Sequence, residues 1–201
     1  MGLLDMLMKA FGWRKEESSV LVVGLDNSGK TTILNFLKPA KNALLEVAPT
    51  VGFTVEQFEK GNIRFDAFDM SGQREYRSLW ERYYKDAQSI IFVVDSADKV
   101  RMVVAKDELD ALLSHEDVAE RPVPLLIFAN KTDKASALPL VEVISLLGLQ
   151  DISGRAWKVQ PSNALTGEGV DDGIEWLAQK VSEGASAGTG GSTAAAAAAA
   201  Q

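Results

Sequence analysis

The chain has 201 residues, 46% of them apolar and 24% charged, with no cysteine, one histidine and a formal net charge of −7. Without cysteine there is no disulfide scaffold, no thiolate-ligated zinc or iron–sulfur site and no thiol nucleophile, and the lone His115 rules out a histidine-rich metal centre. The acidic balance argues against nucleic acid as a partner, because phosphate backbones demand a basic footprint, and the length suits one domain with extensions.

Residues 1–16 read MGLLDMLMKAFGWRKE. Asp5 and Lys9 break the apolar run that a signal peptide needs, and no run in the chain approaches the roughly 20 residues that span a bilayer. Leu3, Leu4, Leu7, Met8 and Phe11 share one helical face, with Lys9, Arg14 and Lys15 adding positive charge. The pattern predicts either an amphipathic helix lying on a membrane surface or a helix packed on the domain.

Val20–Val23 reads as a fully buried strand. At its carboxyl end stands Gly24-Leu25-Asp26-Asn27-Ser28-Gly29-Lys30-Thr31, which matches the phosphate loop G-x-x-x-x-G-K-[ST]. Glycine lets backbone N–H groups curl around phosphates, and the predicted helix Lys30–Leu37 points its positive end at the same anion. Lys30 is placed to neutralise the β- and γ-phosphates, and the Thr31 hydroxyl to ligate Mg²⁺. Asp26 falls near the terminal phosphate. A negative side chain there predicts slow intrinsic hydrolysis, with a partner supplying an arginine.

Next comes the loop Pro49-Thr50-Val51-Gly52-Phe53. Thr50 can bring its hydroxyl to the metal and its N–H to the γ-phosphate, contacts that exist only with a triphosphate and order the loop in that state alone. Glu56–Glu59 and Arg64–Phe68, separated by Gly61-Asn62, predict an antiparallel hairpin. It ends in Asp69-Met70-Ser71-Gly72-Gln73. Here Asp69 is a carboxylate for Mg²⁺, Gly72 admits a backbone N–H to the γ-phosphate, and Gln73 orients an attacking water.

Ile90–Val94 and Leu125–Phe128 are two further buried strands, and Val103–Leu113 between them has the helical period. His115 falls at that helix's exposed end and reads as structural. Asn130-Lys131-Thr132-Asp133 follows the second strand. The Asp133 carboxylate can accept from guanine N1–H and the N2 amine, donors that adenine lacks, so this segment selects guanine. Asn130 ties the base loop to the phosphate loop, and the Lys131 stem covers the ring.

Val141–Leu147 predicts a helix and Trp157–Val159 a strand. Asn163-Ala164-Leu165 follows, with the Ala164 N–H in reach of guanine O6. Ile174, Leu177 and Val181 mark the inner face of the last helix. From Gly184 to Gln201 only small residues and a closing alanine run remain, apart from the last glutamine. Disorder is expected there, and without cysteine the end carries no prenyl group. The domain plan is therefore 1–16 amphipathic helix, 17–183 nucleotide-binding domain and 184–201 tail. Alternating strands and helices predict an α/β fold, a mostly parallel sheet with helices on both faces and ligands beyond the carboxyl strand ends.

These motifs, in this order and at strand ends, resemble a small GTPase of the Ras superfamily. PTVGF, GLDNSGKTT, Gly2 with its leading helix, and Leu79-Trp80-Glu81-Arg82-Tyr83 resemble the Arf branch. The segments FDMSGQ and RMVVAKDELD are similar to the branch members that bring the BBSome coat to membranes at the ciliary base. The resemblance implies a six-stranded Ras-like G domain and a GTP/GDP switch with Mg²⁺. Nucleotide contacts would run from Gly24 to Thr32 (Leu25, Asp26, Asn27, Ser28, Gly29, Lys30 and Thr31 among them), with Thr50, Gly72, Asn130, Lys131, Asp133 and Ala164; Thr31, Thr50 and Asp69 would hold the metal.

It also implies an exchange factor, a GTPase-activating protein, a coat effector contacted through the switch regions by a β-propeller subunit, and a cytoplasmic, peripheral-membrane location at the cilium. Phe53, Phe68 and Tyr83 match the aromatic patch Arf proteins show to effectors. In such relatives the hairpin slides in register on GTP loading and ejects the leading helix. Met6 stands where the myristoylation pattern M-G-x-x-x-[ST] has a hydroxyl residue, Ser71 replaces the usual Arf glycine, and Asn163 and Leu165 depart from Cys-Ala-Thr. Two other readings compete: a P-loop nucleotide phosphotransferase, which would need a lid of arginines, and a scaffold with permanently held nucleotide.

Overall fold

The computed structural model describes residues 15–38 and 48–197, with side chains followed to residue 186. The amphipathic pattern of 1–14 lies outside the described residues; Glu16 already opens the first strand.

Six strands form one sheet in the order β2-β3-β1-β4-β5-β6. They are β1 Glu16–Val23, β2 Phe53–Lys60, β3 Ile63–Met70, β4 Ser89–Asp95, β5 Leu125–Asn130 and β6 Trp157–Ser162. Only β2 runs antiparallel, paired to β3 from Phe53↔Met70 to Lys60↔Ile63. The helices are α1 Lys30–Leu37, α2 Glu81–Tyr84, α3 Met102–Ser114, α4 Glu116–Ala119, α5 Leu140–Leu147 and α6 Val170–Ala197. Short 3-10 turns stand at Arg74–Leu79 and Leu149–Asp151.

Strand side chains alternate between the two faces of the sheet, as a period of two requires. Leu21, Val23, Ile90, Phe92, Leu125 and Ile127 pack with Leu109 and Leu112 of α3 and Val143 and Leu147 of α5. Val20, Val22, Ile91, Val93, Leu126 and Phe128 pack on the other face with Ile33 and Leu34 of α1 and Ile174 and Leu177 of α6. Each such side chain, fully removed from water, contributes about 1.5–3 kcal/mol against conformational entropy. Burial on both faces is the reason these strands read as continuous apolar runs.

His115 caps α4: its Nδ1 accepts from Asp117 N (3.2 Å), and its ring meets Tyr84 edge-on at 5.0 Å. α6 continues to Ala197, into the segment where disorder was expected. The parallel register brings the carboxyl ends of β1, β3, β4, β5 and β6 to one rim, with Val22↔Asp69, Asp95↔Asn130 and Asn130↔Ser162 side by side.

Candidate functional site

At that rim a cleft of ≈ 240 Å³ is lined by Asp26, Asn27, Gly29, Lys30, Thr31, Thr32, Thr50, Ser71, Gly72 and Gln73, among others. The turn from β1 into α1 shapes it. Gly29 sits at φ 101, and a Cβ there would lie 2.2 Å from Asn130 Nδ2; only glycine leaves the carboxamide its place. Lys30 folds back over the loop, donating to the carbonyls of Gly24 and Leu25 at 2.9 Å each. Burial pushes its ammonium down to about 8, while Asp69 and Asp26 pull the other way. A desolvated ammonium beside a helix N-terminus is a strong anion receptor.

Three hard oxygens converge next to it. Thr31 Oγ1 donates to Asp69 Oδ2 at 2.6 Å and lies 3.0 Å from Thr50 Oγ1. Asp69 is fully buried, its Oδ1 has no hydrogen-bond partner, and burial holds its carboxyl above the ordinary range. A buried carboxylate oxygen free of hydrogen-bond partners next to two hydroxyls is a donor set that fits a hard cation. No cluster of three acidic, histidine or cysteine side chains exists among the described residues. One carboxylate plus hydroxyls, completed by substrate phosphates and water, fits Mg²⁺ rather than a metal needing an all-protein cage.

Gly72 closes the cleft from the β3 side. A Cβ on it would lie 2.2 Å from Asp26 N and Leu25 C and 2.5 Å from Gly24 O, so the backbone at 72 rests directly on the phosphate loop. Ser71 is buried beside it; its N–H donates to Gly52 O (2.9 Å) and its carbonyl accepts from Trp80 Nε1 (2.9 Å). The loop carrying Thr50 and the loop carrying Gly72 are thereby joined. Phe53, Phe68 and Tyr83 come together on the adjoining surface, with ring centroids 5.1 Å (Phe53–Tyr83) and 5.0 Å (Phe68–Tyr83) apart.

Asn130 organises the other half. Its Nδ2 donates to Ser28 O at 2.8 Å, while its Oδ1 accepts from Ser162 Oγ (3.2 Å) and from Ala164 N (3.0 Å). Three loops are thus pinned by one buried carboxamide, and the Ala164 amide is engaged by it. Lys131 reaches Asn27 O at 2.5 Å and Asp95 Oδ2 at 2.7 Å. Both Asn27 and Lys131 have left-handed backbones, φ 59 and 66; such conformations persist where surroundings over-determine them. Asp133 stands exposed at the end of this loop.

The structure therefore gathers Lys30, Thr31, Thr50, Asp69, Gly72 and Gln73 around one cleft and Asn130, Lys131 and Ala164 against the same loop. Sequence reasoning missed Asp95, which holds the Lys131 ammonium, and Arg77 and Arg101, which hold Asp26. An acidic residue ending a buried strand is a weak signal for the first. No spacing rule flags the other two.

The sequence model of the ADP-ribosylation factor family matches residues 3–181. ADP-ribosylation factor-like protein 6 of Danio rerio is 51% identical over 181 residues, covering 90% of this chain and 97% of that protein. The same-named protein of Caenorhabditis briggsae is 45% identical over 90% of this chain and 95% of its own length. Among solved structures, the Arl6 BBS3 small GTPase from Trypanosoma brucei with bound nucleotide analogue GppNp superposes with a TM-score of 0.77 at 44% identity, covering 83% of this chain and 98% of that one. The chain belongs to the ADP-ribosylation factor family and is a small GTPase with the Ras-like fold.

Proposed function

We propose that this member of the Arf family is a guanine-nucleotide switch of the Arf-like 6 type, which in its triphosphate form binds membrane and recruits a BBSome-type coat for traffic of membrane proteins to cilia. The observation that carries the reading is one connected piece of chain. Thr50 and Asp69 meet on Thr31, Gly72 rests on the phosphate loop, and the Phe53–Phe68–Tyr83 patch is assembled immediately beyond them. A terminal phosphate engaged by Thr50 and Gly72 thus has a direct mechanical route to an apolar surface. The ciliary assignment rests on the likeness to ADP-ribosylation factor-like protein 6 and to the structure designated Arl6 BBS3, and is part of this proposal.

In this reading the Lys30 ammonium and the amides of residues 24–32 hold the phosphates. Thr31, Thr50 and Asp69 hold Mg²⁺, which supplies positive charge to the oxygens of the transferring phosphoryl group. Gln73, at the cleft wall, orients the attacking water. Asp133 accepts from the guanine N1–H and N2 amine, the Lys131 stem covers the ring, and Ala164 closes the loop behind it. The nearby guanidiniums of Arg77 and Arg101 are committed to Asp26 and to Glu108 or Asp98. Intrinsic hydrolysis is therefore slow, and an activating protein brings the arginine that stabilises transition-state charge. Effectors, an exchange factor and an activating protein come with the family. A coat subunit of β-propeller type docks on the switch surface, and residues 1–16 contact the membrane.

Flotation with liposomes tests this. Full-length chain loaded with GppNHp floats and carries the coat with it, whereas the GDP-loaded chain stays in the aqueous fraction. Removing residues 1–13 abolishes the difference. Equal flotation of both loaded forms overturns the membrane switch.

A further inference from the structure

A carboxylate inside an anion-binding loop needs an account. Asp26 directly follows the two carbonyls that Lys30 caps, and its own amide nitrogen lies against Gly72. An unbalanced charge there opposes every phosphate, and the terminal one most. In the structure that charge is met from two sides. Arg101 Nη1 lies 3.2 Å from Asp26 Oδ2 and 3.4 Å from Asp26 O. Arg77 Nη2 lies 3.8 Å from Asp26 Oδ1.

The two guanidiniums are mounted differently. Arg101 immediately precedes α3, and Asp98 fixes it from behind, accepting from its Nε at 2.6 Å and from its backbone N–H at 3.1 Å. Both partners belong to the loop after β4, a rigid part of the rim. Arg77 sits on the 3-10 turn that follows Gln73. Its Nε donates to Gly72 O at 2.9 Å and its Nη1 to Glu108 on α3 at 2.8 Å. Arg77 therefore reaches Asp26 by way of the segment that brings Gly72 against the phosphate loop.

We propose that Arg101 and Arg77 are positioning residues that cancel the charge of Asp26 and thereby set the preference for triphosphate over diphosphate. Arg101 provides a standing counter-charge in both nucleotide states. Arg77 adds a second when Gly72 closes, so Asp26 turns from an obstacle to the terminal phosphate into an anchor for the closed loop. The proposal rests on the guanine-nucleotide reading above and assigns roles to two residues outside the phosphate-, metal- and base-contacting motifs described above.

The test compares affinities for GDP and GppNHp in the full chain. Arg101→Ala exposes the Asp26 carboxylate and lowers GppNHp affinity about two- to fivefold more than GDP affinity, the size expected for a partly exposed charge pair. Asp26→Asn in the same chain restores the GppNHp:GDP ratio to that of Asp26→Asn alone, and Arg101→Lys keeps most of it. Arg77→Ala lowers the GppNHp arm while sparing GDP, and carries the same reading should Arg101→Ala fold poorly. The deficit shrinks with added salt. An unchanged ratio, an equal loss for both nucleotides, or a deficit that Asp26→Asn leaves in place overturns the proposal. Failure of the unaltered chain to bind either nucleotide sinks the guanine reading itself, and this proposal with it.

Discussion

Replacing Asn130 by alanine is the sharpest single perturbation of the site's architecture. The side chain is 1% exposed and joins the phosphate loop at Ser28, the end of β6 at Ser162 and the following loop at Ala164. Alanine leaves the Ser28 carbonyl and the Ala164 N–H without partners, in a region where Ser28 and Ser162 are each 1% exposed and Ala164 is 6% exposed. A buried polar group stripped of its partner costs about 1–3 kcal/mol. Two such groups, with a hydroxyl that can rotate to a new acceptor, sum to about 2–6 kcal/mol. Urea denaturation of the nucleotide-free chain reads this as a lower midpoint at unchanged slope. Nucleotide dissociation should accelerate in parallel, because both loops around the base lose their common tie. A stability change under about 0.5 kcal/mol would show that water or a shifted loop satisfies those groups, and that Asn130 does not organise the rim.

Three further outcomes follow from the geometry. Lys30, lowered to about 8 against 10.5 in the unfolded chain, makes the unfolded state bind more protons between those values, so stability of the nucleotide-free protein rises with pH across that window and is lost as pH falls through about 8. Bound phosphates restore the charged form, so calorimetry of GDP binding at pH about 9, in buffers of different ionisation enthalpy, should detect uptake of about one proton; none detected refutes the buried ammonium. Gly72→Ala puts a Cβ 2.2 Å from backbone atoms of Leu25 and Asp26 that cannot yield. It should spare GDP affinity, abolish the preference for GppNHp, and leave residues 73–79 open to proteolysis with either nucleotide. Asp133→Asn offers a donor where guanine needs an acceptor, costing about 1–3 kcal/mol, tenfold or more in affinity, and shifting preference toward xanthine nucleotides, whose C2 carries a carbonyl; unchanged guanine binding would remove Asp133 from the base site.

Legibility in the sequence followed burial. Val20–Val23, Ile90–Val94 and Leu125–Phe128 are strands covered on both sides, so their apolar runs announced them, and the turn Gly61-Asn62 announced the hairpin. The first half of β1 was silent because Glu16, Glu17, Ser18 and Ser19 carry no apolar signal; its register is held by the β3 backbone and by Arg64 beside Glu17. The turn Arg74–Leu79 was silent too: no residue in it is buried, and its place is set by Trp80 and by Arg77 bridging to α3. Motif spacing put Lys30, Thr31, Asp69 and Asn130 at strand ends, and the fold brings them to one rim, since backbone geometry within a few residues of a strand end fixes each. Arg77 and Arg101 act across 51 and 75 positions from Asp26, a distance that only the folded chain reveals.

The β2–β3 hairpin connects the phosphate end of the cleft to the aromatic surface. Asp69 meets Thr31 on one face of β3, while Phe68, one residue before it, turns to the opposite face and packs on Tyr83. A one-residue slip along β1 would exchange the two faces of the strand, so the smallest step that keeps both patterns is two residues, a displacement of about 6.6 Å. At the far end the present register is marked by Lys60 with Asp171 (3.1 Å) and Glu175 (3.2 Å), and by Lys38 with Glu56 (2.8 Å). The Lys60 pairs, whose carboxylates are open to water, contribute about 0–1 kcal/mol each. They tune the register without locking it. At the other end Thr50 meets Thr31 and Gly72 rests on the phosphate loop in this same register. In the proposed switch a terminal phosphate that engages both anchors adds free energy to this register, and the aromatic surface reports on it.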